Sequence, residues 1–152
     1  MKLTSPAFLD NEQIPTRYTC EGDNISPPLE IAEIPTGTVS LALIFDDLDA
    51  RASDDASLWI HWIVFNILPD TIHIDEGSAP KDAEQGRTSF GAHCYGGPCP
   101  PHGVHRYRLR VFALSKKLEI NRSASINEIE RDMVGCIIDR AEILGTYCRK
   151  TL

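Results

Sequence analysis

HRYRLRVFAL, the stretch from His105 to Leu114, shows the alternation that decides the fold. Successive side chains of a β-strand point to opposite faces, so Tyr107, Leu109 and Val111 share one face with His105. The opposite face carries a row of three arginines, Arg106–Arg110. One apolar and one charged face are typical of a half-buried strand in an antiparallel sheet. We therefore expect a core strand here, with an exposed arginine row as one contact surface.

Two other stretches predict long strands. LWIHWIVFNIL, Leu58–Leu68, is apolar on both faces, as expected of a strand that is covered on both sides. VSLALIFDD, Val39–Asp47, is rich in β-branched and apolar residues and ends in an acidic turn signal. Weaker strand signals are found at Lys2–Phe8, Arg17–Cys20, Leu29–Ile31 and Ile143–Arg149.

One helix is predicted near the C-terminus. Ser125 and Glu128 form a capping box, in which the two residues satisfy each other's backbone N–H groups. Apolar residues follow at helical spacing as far as Met133. Gly135 is expected to break this helix, and Ile137–Arg140 to form a second short turn.

The order of these elements favours a mostly β fold. Many short strands, ten prolines, ten glycines and one late helix are typical of a β-sandwich rather than a parallel α/β fold. The 152 residues contain no repeat and no linker, and a chain of this length buries enough surface for one core. We expect a single domain over residues 1–152, with one or two short helices near the C-terminus.

Charge and hydropathy exclude several function classes. The chain has 15 basic and 22 acidic residues, a net charge of −7. Nucleic-acid binding needs clustered positive charge, so it is excluded, and stable anchoring to anionic membranes is disfavoured. The N-terminus lacks the apolar run of a signal peptide, and no stretch is long enough to span a bilayer. A cytoplasmic protein is expected.

Cysteine usage points to the same compartment. An odd number of cysteines spread over a mid-sized chain indicates reduced thiols, although one crosslink stays open. The five are Cys20, Cys94, Cys99, Cys136 and Cys148.

Polar residues on the apolar strands mark a candidate site. Asp47 closes one long strand, and His61 lies near the start of the next, so an antiparallel return brings them to one end of the sheet. Tyr107 lies on the same face as His105. A carboxylate favours the charged form of a nearby histidine, which suits an anion such as phosphate. The alternative is a hydrogen-bonded core histidine, with Asp47 as a turn cap.

Two segments raise the question of metals and nucleophiles. The acidic loop Asp46–Asp55 lacks the glycine and distal glutamate of a calcium loop, which favours a solvated turn. His93–His105 holds two cysteines and three histidines but lacks a second tight ligand pair for zinc. A thiol nucleophile at Cys94 or Cys99 has no known signature around it. No catalytic residue, metal or cofactor is expected; the alternative function is a zinc- or Cys-dependent hydrolase using this segment.

Three segments together resemble one known family. SLALIFDDLDA, Ser40–Ala50, is similar to a D-P-D-A-P block, LWIHWIVFNIL to a W-x-H-W-x-V-x-N-I block, and GPCPPHGVHRYRLRVFAL, Gly97–Leu114, to a G-x-x-P-P-x-G-x-H-R-Y block. These blocks belong to the phosphatidylethanolamine-binding protein family, which includes the Raf kinase inhibitor protein. The opening Ser5–Glu30 and the ending Ala141–Arg149 resemble its short bacterial and archaeal branch.

The resemblance implies a Greek-key β-sandwich of two antiparallel sheets with a small binding pocket at one end. By motif position, Asp47 and Asp49 are the two acids of the first block, and Asp47 faces the pocket. His61 would face the ligand, Trp59 would form a wall, and the Tyr107 hydroxyl would donate to a phosphate oxygen. The remaining implied site residues are His105 and the loop edge Cys99, Pro100 and Pro101, with a backbone amide toward the anion.

The sequence departs from the family pattern at the rim of this pocket. Leu48 and Arg51 replace both prolines of the D-P-D-A-P block, so either the rim is less rigid or Arg51 itself reaches toward an anion, and the pocket specificity is left open. The extra C-terminal helix of longer eukaryotic members is expected to be missing after Arg149.

These observations predict a small binding or regulatory protein. Its pocket is expected to accept a phosphate-like anion, such as a phosphoethanolamine head group or a phosphorylated side chain. An intact lipid is disfavoured, because an acyl chain needs a large apolar cavity. Modulation of a protein kinase or a protease, and a homodimer, are implied by the resemblance alone.

Overall fold

The computed structural model describes residues 1–53 and 57–150. Within these residues it contains nine strands, one 3-10 helix and one α-helix. The elements are β1 (Lys2–Thr4), β2 (Glu12–Gln13), the 3-10 helix (Thr16–Tyr18), β3 (Leu29–Ala32), β4 (Ser40–Arg51), β5 (Leu58–Ile67), β6 (His73–Ile74), β7 (Glu84–Gln85), β8 (His105–Leu114), α1 (Ile126–Met133) and β9 (Ile137–Tyr147).

The strands form two sheets, which confirms a mostly β fold. The smaller sheet has the order β1-β3-β6, and the larger has the order β2-β9-β8-β4-β5-β7. The described pairings are antiparallel except that of β2 with β9, which is parallel. The expectation of two wholly antiparallel sheets is therefore wrong for this short pair. The Greek-key connectivity stays a prediction.

The three long strands predicted from the sequence are confirmed and lie side by side as β5-β4-β8. β4 continues past Asp47 to Arg51, although the acidic residues there predict a turn. It can continue because β8 supplies arginine partners for these acids, as described below. The acidic loop is therefore strand over most of its length, and Asp54 and Asp55 lie outside the described residues.

The helix prediction is confirmed, and two local predictions are wrong. Ser125 caps α1, donating its backbone N–H to the Glu128 carboxylate at 2.7 Å and accepting the Glu128 N–H at 3.2 Å. Arg17–Cys20 forms no strand, because the 3-10 helix Thr16–Tyr18 includes its first two residues. Ile137–Arg140 is not a turn, because the chain reverses earlier, at Gly135 with φ +81°, and β9 begins immediately afterwards.

Two apolar clusters hold the layers together. The first lies between the sheets, where Leu29 and Ile31 of the small sheet join Leu43 and Leu109 of the large one. The second covers the other face of the large sheet, against which Ile129 and its neighbours in α1 pack. Each of these side chains is at most 2% exposed. The central strands are thus covered on both faces, so a polar side chain among them needs a partner or a function.

None of the helices within residues 1–53 and 57–150 has the length and apolar character needed to cross a lipid bilayer.

Candidate functional site

The register of the three central strands brings the predicted site residues to one end of the large sheet. Asp47 of β4 lies opposite Trp59 of β5 on one side and opposite Tyr107 of β8 on the other. His105 lies two residues before Tyr107 on β8. The juxtaposition expected from the sequence is therefore present.

Asp47 forms a buried hydrogen bond, with His105 rather than with His61. Its carboxylate, 3% exposed as a residue, accepts from His105 Nδ1 at 2.8 Å and from the backbone N–H of Asp49 at 2.8 Å. A buried carboxylate is stable only with such partners. The predicted proximity of Asp47 and His61 is present, since the carboxylate acts on the pKa of His61, but its hydrogen bond is made to His105.

A β-bulge presents His61 to the inner face of the sheet. The register between β4 and β5 passes from Phe45–Trp62 to Asp46–Ile60, so His61 is the extra residue. Its ring lies 5.3 Å from that of Phe45, in the cluster between the sheets to which Trp62 also belongs. Strict alternation would place Trp62 on the opposite face from His61, but the bulge breaks the alternation of the strand.

His61 is a buried, neutral histidine. Its Nδ1 lies 2.6 Å from the carbonyl oxygen of Gly96, which can only accept, so Nδ1 carries the proton and Nε2 has a free lone pair. Burial lowers the pKa of His61, and this effect outweighs the opposing effects of the Gly96 carbonyl and of Asp47. The carboxylate acts in the direction that the sequence predicts, but desolvation is the larger effect.

The hydroxyl of Tyr107 lacks a well-formed hydrogen bond. The residue is 1% exposed, and its hydroxyl oxygen is buried without a well-formed hydrogen bond to any described residue. The ring lies edge-on to His61, with centroids 5.3 Å apart. Burial raises the pKa of Tyr107, and the charge of the Asp47 carboxylate and a weak hydrogen bond to it raise the pKa further. A buried O–H group whose hydrogen bond is poorly formed calls for an explanation, and a ligand atom is one.

Trp59 and Phe90 form an aromatic edge beside His61. The Phe90 ring lies 5.3 Å from Trp59 and 5.4 Å from His61. Gly96 makes room for it, because a Cβ at this position would lie 2.5 Å from the Phe90 ring. Sequence reasoning missed Phe90, which lies in a turn and is 50% exposed. Its only sequence signal is a large aromatic residue between a serine and a glycine.

A disulfide fixes the loop that borders the site. Cys20 and Cys99 are bonded, with Cα atoms 5.5 Å apart, while Cys94, Cys136 and Cys148 are free. The interpretation as reduced thiols is therefore wrong for Cys20 and Cys99. The sequence left one crosslink open, because pairing depends on which loops the fold brings together.

Hydrogen bonds tie the same two loops together. The Tyr95 hydroxyl donates to the Tyr18 carbonyl at 2.7 Å, and the Gly97 N–H donates to the side-chain oxygen of Asn24 at 2.8 Å. A Cβ on Gly97 would lie 2.5 Å from both acceptor oxygens, so only glycine fits. The carbonyl of Gly96, which orients His61, is thus held by a rigid neighbour.

The proline loop edge follows directly. Pro100 is buried, whereas Cys99 and Pro101 are exposed. Because Pro98, Pro100 and Pro101 have no N–H group, Cys99 carries the single backbone donor of the segment 98–101. That N–H group is the one through which this edge could contact an anion.

The Asp49 carboxylate is hydrogen-bonded to Arg106, outside the group of residues around Asp47. Its carboxylate accepts from the backbone N–H of Arg106 at 2.8 Å and from the Arg106 guanidinium at 2.9 and 3.0 Å. These hydrogen bonds hold the pKa of Asp49 below its usual value. The structure places this predicted site residue at the rim, with its oxygens directed to Arg106.

Two further arginines of the row form ion pairs with a buried acid. Arg108 and Arg110 both reach Asp46, each at 2.8 Å, and Asp46 is 1% exposed. The side chains of Arg108 and Arg110 are 23% and 13% exposed. The expectation of an exposed row is wrong beyond Arg106, because Asp46 on the neighbouring strand needs two cationic partners.

The cysteine- and histidine-rich segment does not assemble a metal site. His93 Nδ1 lies 3.2 Å from the Gln85 carbonyl oxygen, and Cys99 has no free thiol because it forms the disulfide with Cys20. In the described parts of the chain, no three histidine, cysteine or acidic side chains are grouped closely enough to hold a metal ion. The geometry therefore gives no support to the zinc or Cys99 nucleophile interpretations.

Comparison with known proteins identifies the family. The sequence profile of the phosphatidylethanolamine-binding protein family matches residues 4–148. A UPF0098 protein of Methanothermobacter thermautotrophicus is 42% identical, over 98% of this chain and 99% of that protein. A UPF0098 protein of Chlamydia pneumoniae is 41% identical, over 97% of this chain and 98% of that protein.

Solved structures agree with the sequence relatives. A phosphatidylethanolamine-binding protein homologue from Chlamydia trachomatis superposes with a TM-score of 0.91 at 39% identity, covering 98% of this chain and 97% of that one. YbcL of E. coli, described as a new member of the mammalian family, superposes with a TM-score of 0.88 at 32% identity, covering 98% of both chains. On these matches, this chain belongs to the phosphatidylethanolamine-binding protein family.

Proposed function

We propose that this protein is a binding protein, without catalytic activity, for small phosphorylated ligands or phosphorylated side chains. The observation that carries the proposal is the buried hydroxyl of Tyr107, which lies beside His61 and Asp47 without a well-formed hydrogen bond. A poorly satisfied buried donor costs stability, so its retention is explained by a ligand oxygen that accepts from it.

The surroundings of that hydroxyl support a compact polar ligand. His61, Asp47 and Tyr107 are each at most 3% exposed and lie among aromatic rings, where a hydrogen bond to an anion is strong. The polar base suits a head group or a phosphorylated side chain better than an acyl chain.

A neighbouring groove supports a protein partner for the same site. It has a volume of about 470 Å³ and shares Trp59 and Phe90 with the site. Its other walls include Arg87, Ser89 and Ser123, which supply a positive charge and hydroxyl groups. A phosphorylated side chain at His61 could continue into this groove as a peptide. We therefore retain modulation of a protein kinase or protease as the proposed role, and a homodimer as the proposed assembly.

The cellular compartment is part of the proposal. A cytoplasmic location stays a prediction, whereas a disulfide such as Cys20–Cys99 is typical of oxidising compartments and of thermophile cytosol. Cell fractionation, with the thiol state of Cys20 trapped by alkylation, decides between a cytoplasmic location and an oxidising compartment.

Calorimetric titration tests the proposed ligand class. O-phosphoethanolamine and phosphotyrosine are titrated at pH 6 into the wild type and into His61→Ala. We expect the substitution to weaken binding by about 1.5–3 kcal/mol, the range for a hydrogen bond to a charged group.

A matched control separates this effect from a general change in charge. His73→Ala removes a histidine that also pairs with an aspartate, Asp75, but lies in the small sheet. It should bind both ligands as the wild type does. Equal affinity of the wild type and His61→Ala would mean that the ligand site lies elsewhere.

A further inference from the structure

The base of the candidate site offers more hydrogen-bond acceptors than donors. Of the four lone-pair positions of the Asp47 carboxylate, two are used, by Asp49 N–H and His105 Nδ1. His61 presents the lone pair of Nε2, since Nδ1 donates to a carbonyl, and His105 in its neutral form presents Nε2 in the same way. Against these acceptors stands one buried donor, the hydroxyl of Tyr107, which lies near Asp47 without a well-formed hydrogen bond.

This imbalance restricts which anions can enter. A fully deprotonated oxyanion would place a negative oxygen against the Asp47 carboxylate, with no hydrogen atom between them. Buried like charges and unpaired acceptors are strongly unfavourable. An oxyanion that carries its own hydroxyl avoids both costs, because the hydroxyl donates to Asp47 or to His61 Nε2 while another oxygen accepts from Tyr107.

Phosphate and sulfate esters share a tetrahedral shape and a similar size, but they differ in whether the oxyanion carries its own hydroxyl group. A phosphate ester has a second pKa of about 6, so it exists partly as a hydroxyl-bearing monoanion near neutral pH. A sulfate ester of the same shape has no exchangeable hydroxyl at these pH values. The pair therefore probes the acceptors of the site at constant size and tetrahedral geometry.

We infer that the site selects a tetrahedral oxyanion that carries its own hydroxyl, a hydrogen phosphate ester rather than a sulfate ester, and that Asp47 is the residue that sets this specificity. The inference rests on the proposed function and names the chemical form in which the ligand binds.

His61 does not supply the missing proton. Burial lowers the pKa of His61, so above pH 6.5 its ring is neutral and accepts at Nε2. The proton must then arrive on the ligand, and binding should follow the monoanion population. The titratable and charged groups around His61 are Asp46 and Asp47 from β4, His105 and Tyr107 from β8, and, at the rim, Asp49 and Arg106.

The experiment compares O-phosphoethanolamine with ethanolamine O-sulfate by calorimetry on the wild type. At pH 6 we expect the phosphate ester to bind at least about tenfold more tightly. Between pH 6 and pH 8 its affinity should fall roughly fiftyfold, the factor by which the monoanion fraction falls for a second pKa of about 6. The weak affinity for the sulfate ester should change little over this range.

A variant pair assigns the effect to Asp47. Asp47→Asn replaces an acceptor by an amide that can donate, so it should gain affinity for the sulfate ester and lose most of the preference. Asp75→Asn removes the carboxylate of the exposed Asp75–His73 pair and should keep the wild-type preference.

The outcomes separate the inference from the proposed function. Equal affinities of the wild type for both esters, or a phosphate affinity that does not fall with pH, would overturn the inference while leaving an anion site in place. No binding of either ester would overturn the proposed function itself. If Asp47→Asn does not fold, the wild-type comparison alone still decides.

Discussion

At the scale of single residues, the site depends on which atom of each ring carries a hydrogen. His61 donates from Nδ1 to Gly96, His105 donates from Nδ1 to Asp47, and both rings therefore present Nε2 when they are neutral. Neither orientation depends on a ligand, because both partners belong to the protein. The site is thus preorganised, and binding costs little reordering of its side chains.

The low pKa of His61 has a consequence for stability. In the unfolded chain this histidine titrates near its ordinary value of about 6.5, whereas in the folded protein it resists protonation. As the pH falls below 6.5 the unfolded state binds more protons than the folded state, so the free energy of unfolding should decrease.

Urea denaturation of the wild type at pH 7.5, 6 and 5 measures this decrease. His61→Asn is the matched variant, since its amide can still donate to the Gly96 carbonyl but does not titrate. The variant should lose less stability than the wild type over this range. Parallel losses in the two proteins would mean that other groups dominate.

At the scale of elements, the bulge in β5 positions two adjacent side chains, one for the candidate site and one for the core. It brings His61 to the inner face for the site and leaves Trp62 in the core, where its indole N–H donates to Gln85 of β7 at 2.8 Å. Trp62 is 1% exposed and packs edge-on against Tyr95 of the site loop. The core and the site are therefore built on one strand irregularity.

Trp62→Ala should be among the most damaging substitutions in this sheet. We expect the free energy of unfolding to fall by about 3–5 kcal/mol, the usual cost of removing a large buried aromatic side chain. Trp59→Ala, at a half-buried position three residues earlier, should cost clearly less. Thermal or urea melts of the two variants measure the difference, and a Trp62→Ala melt equal to that of the wild type would contradict the role in the core.

Much at this scale could be predicted from the sequence. Alternation in His105–Leu114 and the capping box at Ser125 are local signals, and both are confirmed. The bulge at His61 could not be predicted, because it exists only relative to the register of β4. The ion pairs of Arg108 and Arg110 could not be predicted either, since both are made with a buried acid, Asp46, on another strand.

The candidate site was predictable in its members but not in its contacts. Asp47, His61, His105 and Tyr107 come together as expected, yet the hydrogen bond of Asp47 is made to His105. Phe90 gave no motif signal, because its position over His61 depends on the room left by Gly96. Contacts between loops far apart in sequence are set by the assembled fold.

At the scale of the whole molecule, the Cys20–Cys99 disulfide connects residues separated by 79 positions. Closing so long a loop restricts the unfolded chain, which stabilises the folded state by about 2–5 kcal/mol. Because the bond lies at the border of the site, it also joins the two loops that hold Gly96 and Gly97.

Cys20→Ser should therefore lower the free energy of unfolding by about 2–5 kcal/mol. The wild type should lose a similar amount when a thiol reductant is added, whereas Cys20→Ser should not respond to it. Cys94→Ser, at an exposed free cysteine, is the control and should melt as the wild type does. Identical melting of the wild type with and without reductant would show that the bond contributes no stability.

The same covalent loop limits how far the chain can be stretched. A force applied between the first and last residues cannot reach the segment from Cys20 to Cys99 along the backbone, because the load passes through the sulfur atoms instead. At about 3.3–3.6 Å per extended residue, the 79-residue separation shortens the oxidised chain by roughly 260–280 Å relative to the reduced one. Strands β3 to β7, including the bulge that carries His61, lie inside this segment, so even after the rest of the chain has been drawn out they bear no direct tension.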